Sequence, residues 1–324
     1  MTTHGGYFPS LVDEAGKKLI SLYGCILASS AFVVISHIFN RSIAREYEKI
    51  ARAVEDLGEA WFIFQGERDQ FQGIQPVKNL FIVSRQNMLD LGFPMIGPEI
   101  YPGSTHFPLF NFLISKHDFD HYWLIEYDVR FSGDWRYFFQ ECTSLQEDFL
   151  SPHLYYWQEE PAWYLWDSLT HPEKTIPLER RLRCFHPVMR ISRQALQALM
   201  KTHQEGWRGH GELLIPTLLH EQGFTMADFG GTGSFVPPGW ENKFYASASP
   251  DPGGKLEKGT FRFRPSFIRA GREKNKLYHP VKSLNVVGKE IVKGYMIKIF
   301  GKQRTRKLIS VVRHLLVILV SNKR

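Results

Sequence analysis

The chain has 324 residues, 43% of them hydrophobic and 23% charged, which excludes a disordered polypeptide or a small stapled module and leaves one large α/β domain or two smaller ones. Its net charge of +7 is uneven: residues 291–324 hold nine Lys or Arg and no acid, so the +9 there leaves −2 for residues 1–290. A near-neutral body argues against a nucleic-acid partner. Three cysteines, Cys25, Cys142 and Cys184, form no CxxC, which argues against a disulfide framework or zinc site and fits a reducing compartment.

Residues 1–30 read as a helical lead-in, with a modest helix from Ser10 to Leu27. Leu19 to Phe39 carries no formal charge and follows Lys17-Lys18, so a membrane anchor or late signal peptide stays open. Against it stand Ser21, Gly24, Ser29, Ser30, Ser36 and His37 inside the segment. Ala31 to His37 is an apolar run rich in β-branched residues, the pattern of a central parallel strand. Asn40-Arg41-Ser42 opens a helix whose stripe is Ile43, Tyr47, Ile50, Ala51, Val54 and Leu57, with Gly58 near its end. Trp61 to Phe64 is a second strand, ending in the polar turn Gln65-Gly66-Glu67-Arg68-Asp69, which completes a βαβ unit.

Asn79 to Ser84 predicts a third strand, and Pro108 to Lys116 a helix with proline in its first turn. Next comes the stretch His121 to Trp135. At period two, Trp123, Ile125, Tyr127, Val129 and Phe131 share one face, and Tyr122, Leu124, Glu126, Asp128 and Arg130 the other. The run stops at the turn residues Ser132-Gly133-Asp134. Carboxylates at the carboxyl end of a strand in an open α/β sheet sit where such sheets bind ligands, and the pair suits a hard divalent cation carrying a phosphate. The alternative is a charged outer face on which Arg130 pairs with Glu126 or Asp128; a strand covered by helices on both sides leaves no room for that.

His153 to Asp167 packs six aromatics into fifteen residues, suited either to sugar faces or to packing. Phe185 to Ile191 predicts a strand, and Ser192 caps the helix after it. In Gly206 to Phe224, Gly209 and Gly211 flank His210, and Glu212 opens a helix closed by Gly223. A carboxylate there either answers the helix dipole or, with small residues leaving room for substrate, belongs to a site. Gly230 to Gly233 and Asp251 to Gly254 are Gly-rich loops without the Lys-Ser/Thr of a phosphate loop. The basic tail, residues 286–324, is either a helix docked on the sheet or one lying on an anionic membrane surface; its apolar part is too short to span a bilayer.

Across Phe32 to Lys282 this layout resembles the GT-A-fold glycosyltransferases, enzymes with one Rossmann-like, mostly parallel sheet flanked by helices. Their acidic D-x-D motif corresponds here to Glu126-Tyr127-Asp128, an E-x-D. Inverting members carry a catalytic carboxylate at a Gly-preceded helix start; Gly209-His210-Gly211-Glu212 is similar and lies 84 residues beyond Asp128, but Leu213 replaces the usual second acid. The resemblance implies a catalytic domain over residues 31–285 and a nucleotide-sugar donor with a glycan or glycolipid acceptor. It further implies Mn²⁺ or Mg²⁺ held by Asp128, Glu126 and His279, with Glu212 as general base. Ser36, His37, Arg41, Glu67, Asp69, Glu126 and Lys282 would bind the nucleotide. A cytoplasmic protein, peripheral on the inner membrane surface, is the location expected. Two alternatives remain: a sugar-phosphate nucleotidyltransferase, whose Gly-rich loop is missing from Ser36 to Arg41, and a non-catalytic carbohydrate-binding or scaffold protein.

Overall fold

The computed structural model describes residues 29–71, 77–100, 103–115, 117–247 and 256–321. The helix expected over Ser10 to Leu27, Cys25 and the loop from Asp251 to Gly254 lie outside them. The second half of the uncharged segment forms strand β1 (Ser30–Ser36), every residue of which beyond Ser30 is buried. Ala31, Val33 and Ile35 enter one apolar core and Phe32 and Val34 another. A strand apolar on both sides must be covered on both sides, and the remaining elements supply the two covers.

Helix α1 (Arg41–Ala53) starts where Asn40 Oδ1 accepts from the Ser42 and Ile43 amides at 3.0 and 3.1 Å. It ends before Leu57, which is half-buried; within it Ala51 is half-buried too, while Ala44 and Glu46 are buried. Strands β2 (Glu59–Gln65) and β3 (Leu80–Val83) follow, then helices α2 (Arg85–Leu89) and α3 (Phe107–Ile114) and strand β4 (His121–Glu126). Strands β1 to β4 are parallel. The predicted alternation holds: Tyr122 and Leu124 face one core, Trp123, Ile125, Val129 and Phe131 the other.

The stretch from His121 to Trp135 is not one strand, however. It stops at Glu126, turns through Tyr127 and Asp128, and resumes as the short β5 (Arg130–Phe131). The turn closes because the Val129 amide donates to the Glu126 carbonyl at 3.0 Å. Arg130 answers neither acid; it lies 3.6 Å from Glu46 and donates to the Tyr127 and Val129 carbonyls.

Helix α4 (Trp135–Cys142) leads into β6 (Phe149–Leu150), β7 (Tyr155–Tyr156), β8 (Leu182–Arg183) and β9 (Val188–Ser192). Helices α5 (Arg193–Gln204) and α6 (Gly211–Glu221), strands β10 (Met226–Ala227) and β11 (Leu277–Tyr278), and helix α7 (Leu284–Ser321) complete the chain. The sheet has seven strands in the order β10-β6-β9-β4-β1-β2-β3, with β9 antiparallel to β4 and β6. It is a Rossmann-like, mostly parallel sheet flanked by helices, as expected. Helices α1 and α4 cover one face and α3, α5 and α6 the other. The aromatic-rich segment is mainly packing: Tyr155, Trp163 and Trp166 are buried, and Tyr164 is exposed. The docked C-terminal helix is not found; α7 is exposed along most of its described length. No helix among the described residues is long and apolar enough to cross a membrane.

Gly58 turns the chain from α1 into β2 against β1, where a Cβ would sit 2.1 Å from the Ser30 carbonyl oxygen, which is backbone and cannot swing away. Gly58→Ala is expected to cost about 3 kcal/mol in a urea titration; an unchanged midpoint would show that the turn relaxes freely.

Candidate active site

The carboxyl ends of β1, β2 and β4 lie side by side, so the turns after them share one edge of the sheet. Glu126 is the last residue of β4, half-buried, and Asp128 follows in the turn, 3% exposed. The third member comes from far along the chain. Strand β11 pairs antiparallel with β5 (Leu277 with Phe131, Tyr278 with Arg130), and the Val281 amide donates to the Asp128 carbonyl at 2.7 Å. This ribbon delivers His279 to the two acids.

His279 Nε2 lies 3.7 Å from Glu126 Oε2 and 3.6 Å from Asp128 Oδ1. A ligand atom from each of the three residues falls within 4.8 Å of the other two. His279 Nδ1 donates to the Arg262 carbonyl at 2.8 Å, which fixes the ring and aims Nε2 at the acids. Asp128 Oδ1 is buried without a hydrogen-bond partner. An orphaned carboxylate oxygen beside a second carboxylate and an oriented imidazole fits a divalent cation, with oxygen donors for Mg²⁺ or Mn²⁺ and one nitrogen.

The other oxygen of Asp128 accepts from Lys282 Nζ at 2.8 Å, and Lys282 also donates to the Tyr127 hydroxyl at 3.0 Å. Burial alone would raise the Asp128 carboxyl, but His279 and then Lys282 outweigh it and hold the group below its usual range. The same contacts act reciprocally: burial lowers His279 and Lys282, yet Asp128 raises both above their ordinary values.

Glu212 stands in the first turn of α6, whose N-cap is His210. Burial pushes its carboxyl up to about 7 against the opposing pull of Arg183; Glu126 adds a smaller upward push and His279 a smaller downward one. Glu212 is thus within electrostatic reach of the Glu126–Asp128–His279 cluster although it arrives on another helix. It keeps 18% of its side-chain surface open to solvent. His210 is no ionic partner for it at 3.9 Å: its Nδ1 accepts from the Glu212 amide, and burial holds the ring at about 4, so it is neutral.

The remaining predicted residues line the same edge at different distances. His37, exposed after β1, packs edge-on against Tyr127 with centroids 5.3 Å apart. Burial and Lys282 lower its imidazole while Asp128 and Glu126 raise it. Ser36 spends its hydroxyl locally, donating to the Ile38 carbonyl at 2.6 Å and accepting from the Ile38 amide at 3.1 Å. Arg41 is the exposed first residue of α1. Glu67 and Asp69 sit on a short 3₁₀ turn (Arg68–Gln70) after β2, one strand further out.

Two residues with no sequence signal support Glu212 from behind. Arg183 and Glu160 form a fully buried ion pair at 2.6 Å, and the guanidinium lies 4.6 Å from the Trp163 ring centroid. The Cys184 amide donates to the Glu212 carbonyl at 2.8 Å, tying β8 to the start of α6. Beneath it, Gly211 is packed against His106 and His186, which a Cβ would approach at 3.1 and 3.2 Å. Only folding could show this, because the partners are 20 to 105 residues apart in sequence.

No protein-family model matches the chain, and no curated protein sequence matches it. Among solved structures it is similar to a Bacillus anthracis protein assigned as glucose-1-phosphate thymidylyltransferase and solved with sucrose. That match has a TM-score of 0.35 and 11% identity over 62% of this chain and 86% of the other. The bifunctional IspDF of Campylobacter jejuni matches with a TM-score of 0.33 and 8% identity, over 64% of this chain and 52% of that one. A197 from STIV gives 0.22 and 14%, over 56% and 81%. These likenesses concern the arrangement of strands and helices and carry nothing about chemistry.

Removing the cation of the buried pair strips Glu160 of its counter-charge. Arg183→Met is expected to lose about 3–5 kcal/mol of stability by urea unfolding, with part regained when Glu160→Gln is added. Equal losses in the single and double variants would mean the pair is not the source.

Proposed function

We propose that this protein is a metal-dependent glycosyltransferase that moves a sugar from a nucleotide-diphosphate donor to a hydroxyl acceptor on a glycan or glycolipid, with inversion. The observation that carries the reading is that a cation-type cluster and a carboxyl raised to about 7 come from different elements and lie within electrostatic reach of each other.

Asp128, Glu126 and His279 would hold Mn²⁺ or Mg²⁺, which when bound neutralises charge on the diphosphate leaving group. Lys282, fixed by Asp128 and Tyr127, adds a permanent cation beside it. Glu212 takes the proton of the acceptor hydroxyl as that oxygen bonds to the anomeric carbon; the bond from that carbon to the diphosphate breaks, and the nucleoside diphosphate leaves with its electron pair. A base with a pKa near the working pH is both available as carboxylate and basic enough to accept the proton. His37, Arg41, Glu67 and Asp69 lie on the strand-end turns that would flank the nucleoside. Ser36 shapes the first of these turns through its bonds to Ile38.

A sugar-phosphate nucleotidyltransferase is the second reading, and it is the activity assigned to the B. anthracis neighbour. It shares the need for acids and a metal. The loop from Ser36 to Arg41 has no glycine with which to wrap a triphosphate, and nucleotidyl transfer to a sugar phosphate leaves Glu212 without a hydroxyl to deprotonate. Pyrophosphate release from a nucleoside triphosphate and a sugar 1-phosphate would favour that reading.

Calorimetric titration of UDP should show binding that needs Mn²⁺ and disappears in Asp128→Asn. No binding of UDP, GDP or CDP with metal present would sink the proposal. Glu212→Gln should keep nucleotide binding and lose roughly 10²–10⁴-fold in turnover. In the wild type kcat/KM should fall about tenfold per pH unit below an apparent pKa near 7, as Glu212 becomes protonated. Addition of the cation should move that limb to lower pH, because positive charge favours the carboxylate. A limb that survives in Glu212→Gln would assign the base elsewhere.

A further inference from the structure

Helix α7 leaves the body two residues after Lys282, and its first turns are fastened there. Val287 is buried, the Ser266 amide donates to Glu290 Oε2 at 3.2 Å, and Arg264 lies 3.7 Å from Glu290. Glu290 is the sole acid in the sequence of α7, and it is turned inward to those partners. Beyond it the helix presents apolar side chains to solvent. Ile291, Val292, Tyr295 and Ile299 are all exposed, Tyr295 by 64% and Ile299 by 71%. At 3.6 residues per turn they form one stripe with Leu284. Lys289 and Lys298 border it, where their stems can lie along an apolar surface while the ammonium groups stay in water. The chain bends at Gly301, whose φ of 78° is left-handed, and then runs into Lys302, Arg304, Arg306 and Lys307.

We propose that this helix docks the protein in the plane of an anionic lipid surface, with the stripe in the headgroup boundary and the lysines and arginines on the lipid phosphates. Two observations select lipid over a protein groove. The stripe continues into residues 300–324, which hold seven cations and no acid, so it is complementary to a uniformly negative surface. The one acid that would oppose such a surface is bound to the body. No helix among the described residues is long and apolar enough to cross a bilayer, so α7 on a lipid surface would lie in its plane. Since Lys282, bonded to Asp128, precedes the helix by two residues, docking would hold the Glu126–Asp128–His279 cluster close to the lipid plane, where a lipid-linked acceptor presents its hydroxyl. That last step rests on the transferase reading; the docking does not.

The test is flotation of the full-length protein with phosphatidylcholine vesicles, with and without roughly 30% phosphatidylglycerol. Binding is expected only with the anionic lipid and should be lost as salt screens the charges. Lys289→Gln and Lys298→Gln should each weaken partitioning roughly fivefold. A triple variant, Ile291→Ser, Tyr295→Ser and Ile299→Ser, should abolish flotation while leaving Mn²⁺-dependent UDP binding intact, which separates failure of docking from failure of the enzyme reading. Full flotation of the triple variant, or salt-independent binding to neutral vesicles, would overturn the proposal. So would a stripe-dependent dimer in sedimentation velocity with no vesicle binding, since the occupant would then be a second copy.

Discussion

Asp128 keeps only 3% of its surface in water, and an ionised carboxylate at that depth costs several kcal/mol unless cations and hydrogen bonds replace the lost hydration. That requirement is met from one direction. His279 and Lys282 come from the end of the body, carried by the pairing of β11 with β5 and by the Val281 amide on the Asp128 carbonyl. The turn after β4 and the segment after β11 are therefore interdependent. Neither would hold its conformation with the other absent, because one would leave a bare buried charge and the other an unpaired edge.

Asp128 and Glu212 are pushed in opposite directions by what surrounds them. Asp128 has a lysine and an imidazole within 4 Å, and they hold its carboxyl below the usual range. Glu212 has a nearby guanidinium, but that guanidinium is already committed to Glu160, and burial dominates. Environments that separate the pKa values of neighbouring acids assign them different tasks. The histidines near α6 add no charge to the balance: burial lowers His186 to about 3 and His203 to about 4, and a 2.9 Å bond joins His203 to His106. They behave as neutral packing groups that bring the helix start close to the loop carrying His106.

At the far end of the chain the same logic of compensation is missing. The apolar stripe of α7 has no cover among the described residues, although the hydrophobic effect favours covering it. An open apolar stripe with a basic, acid-free continuation is the pattern for which an anionic lipid surface is proposed as the cover.

What the sequence determined by itself is what local periodicity and caps can encode. The β1–α1–β2 unit, the alternation through β4, the Asn40 and Ser192 caps and the helix start at Glu212 all follow from neighbours within a turn or a pleat. Tertiary structure alone decided where β4 ends, that β9 enters the sheet antiparallel, that a buried Arg183–Glu160 pair backs Glu212, and that α7 stands free of the sheet. Those outcomes depend on contacts between residues tens to more than a hundred positions apart. Local pattern carries no information about which distant charge will arrive to compensate a buried one, and at Asp128 that arrival is what makes the site.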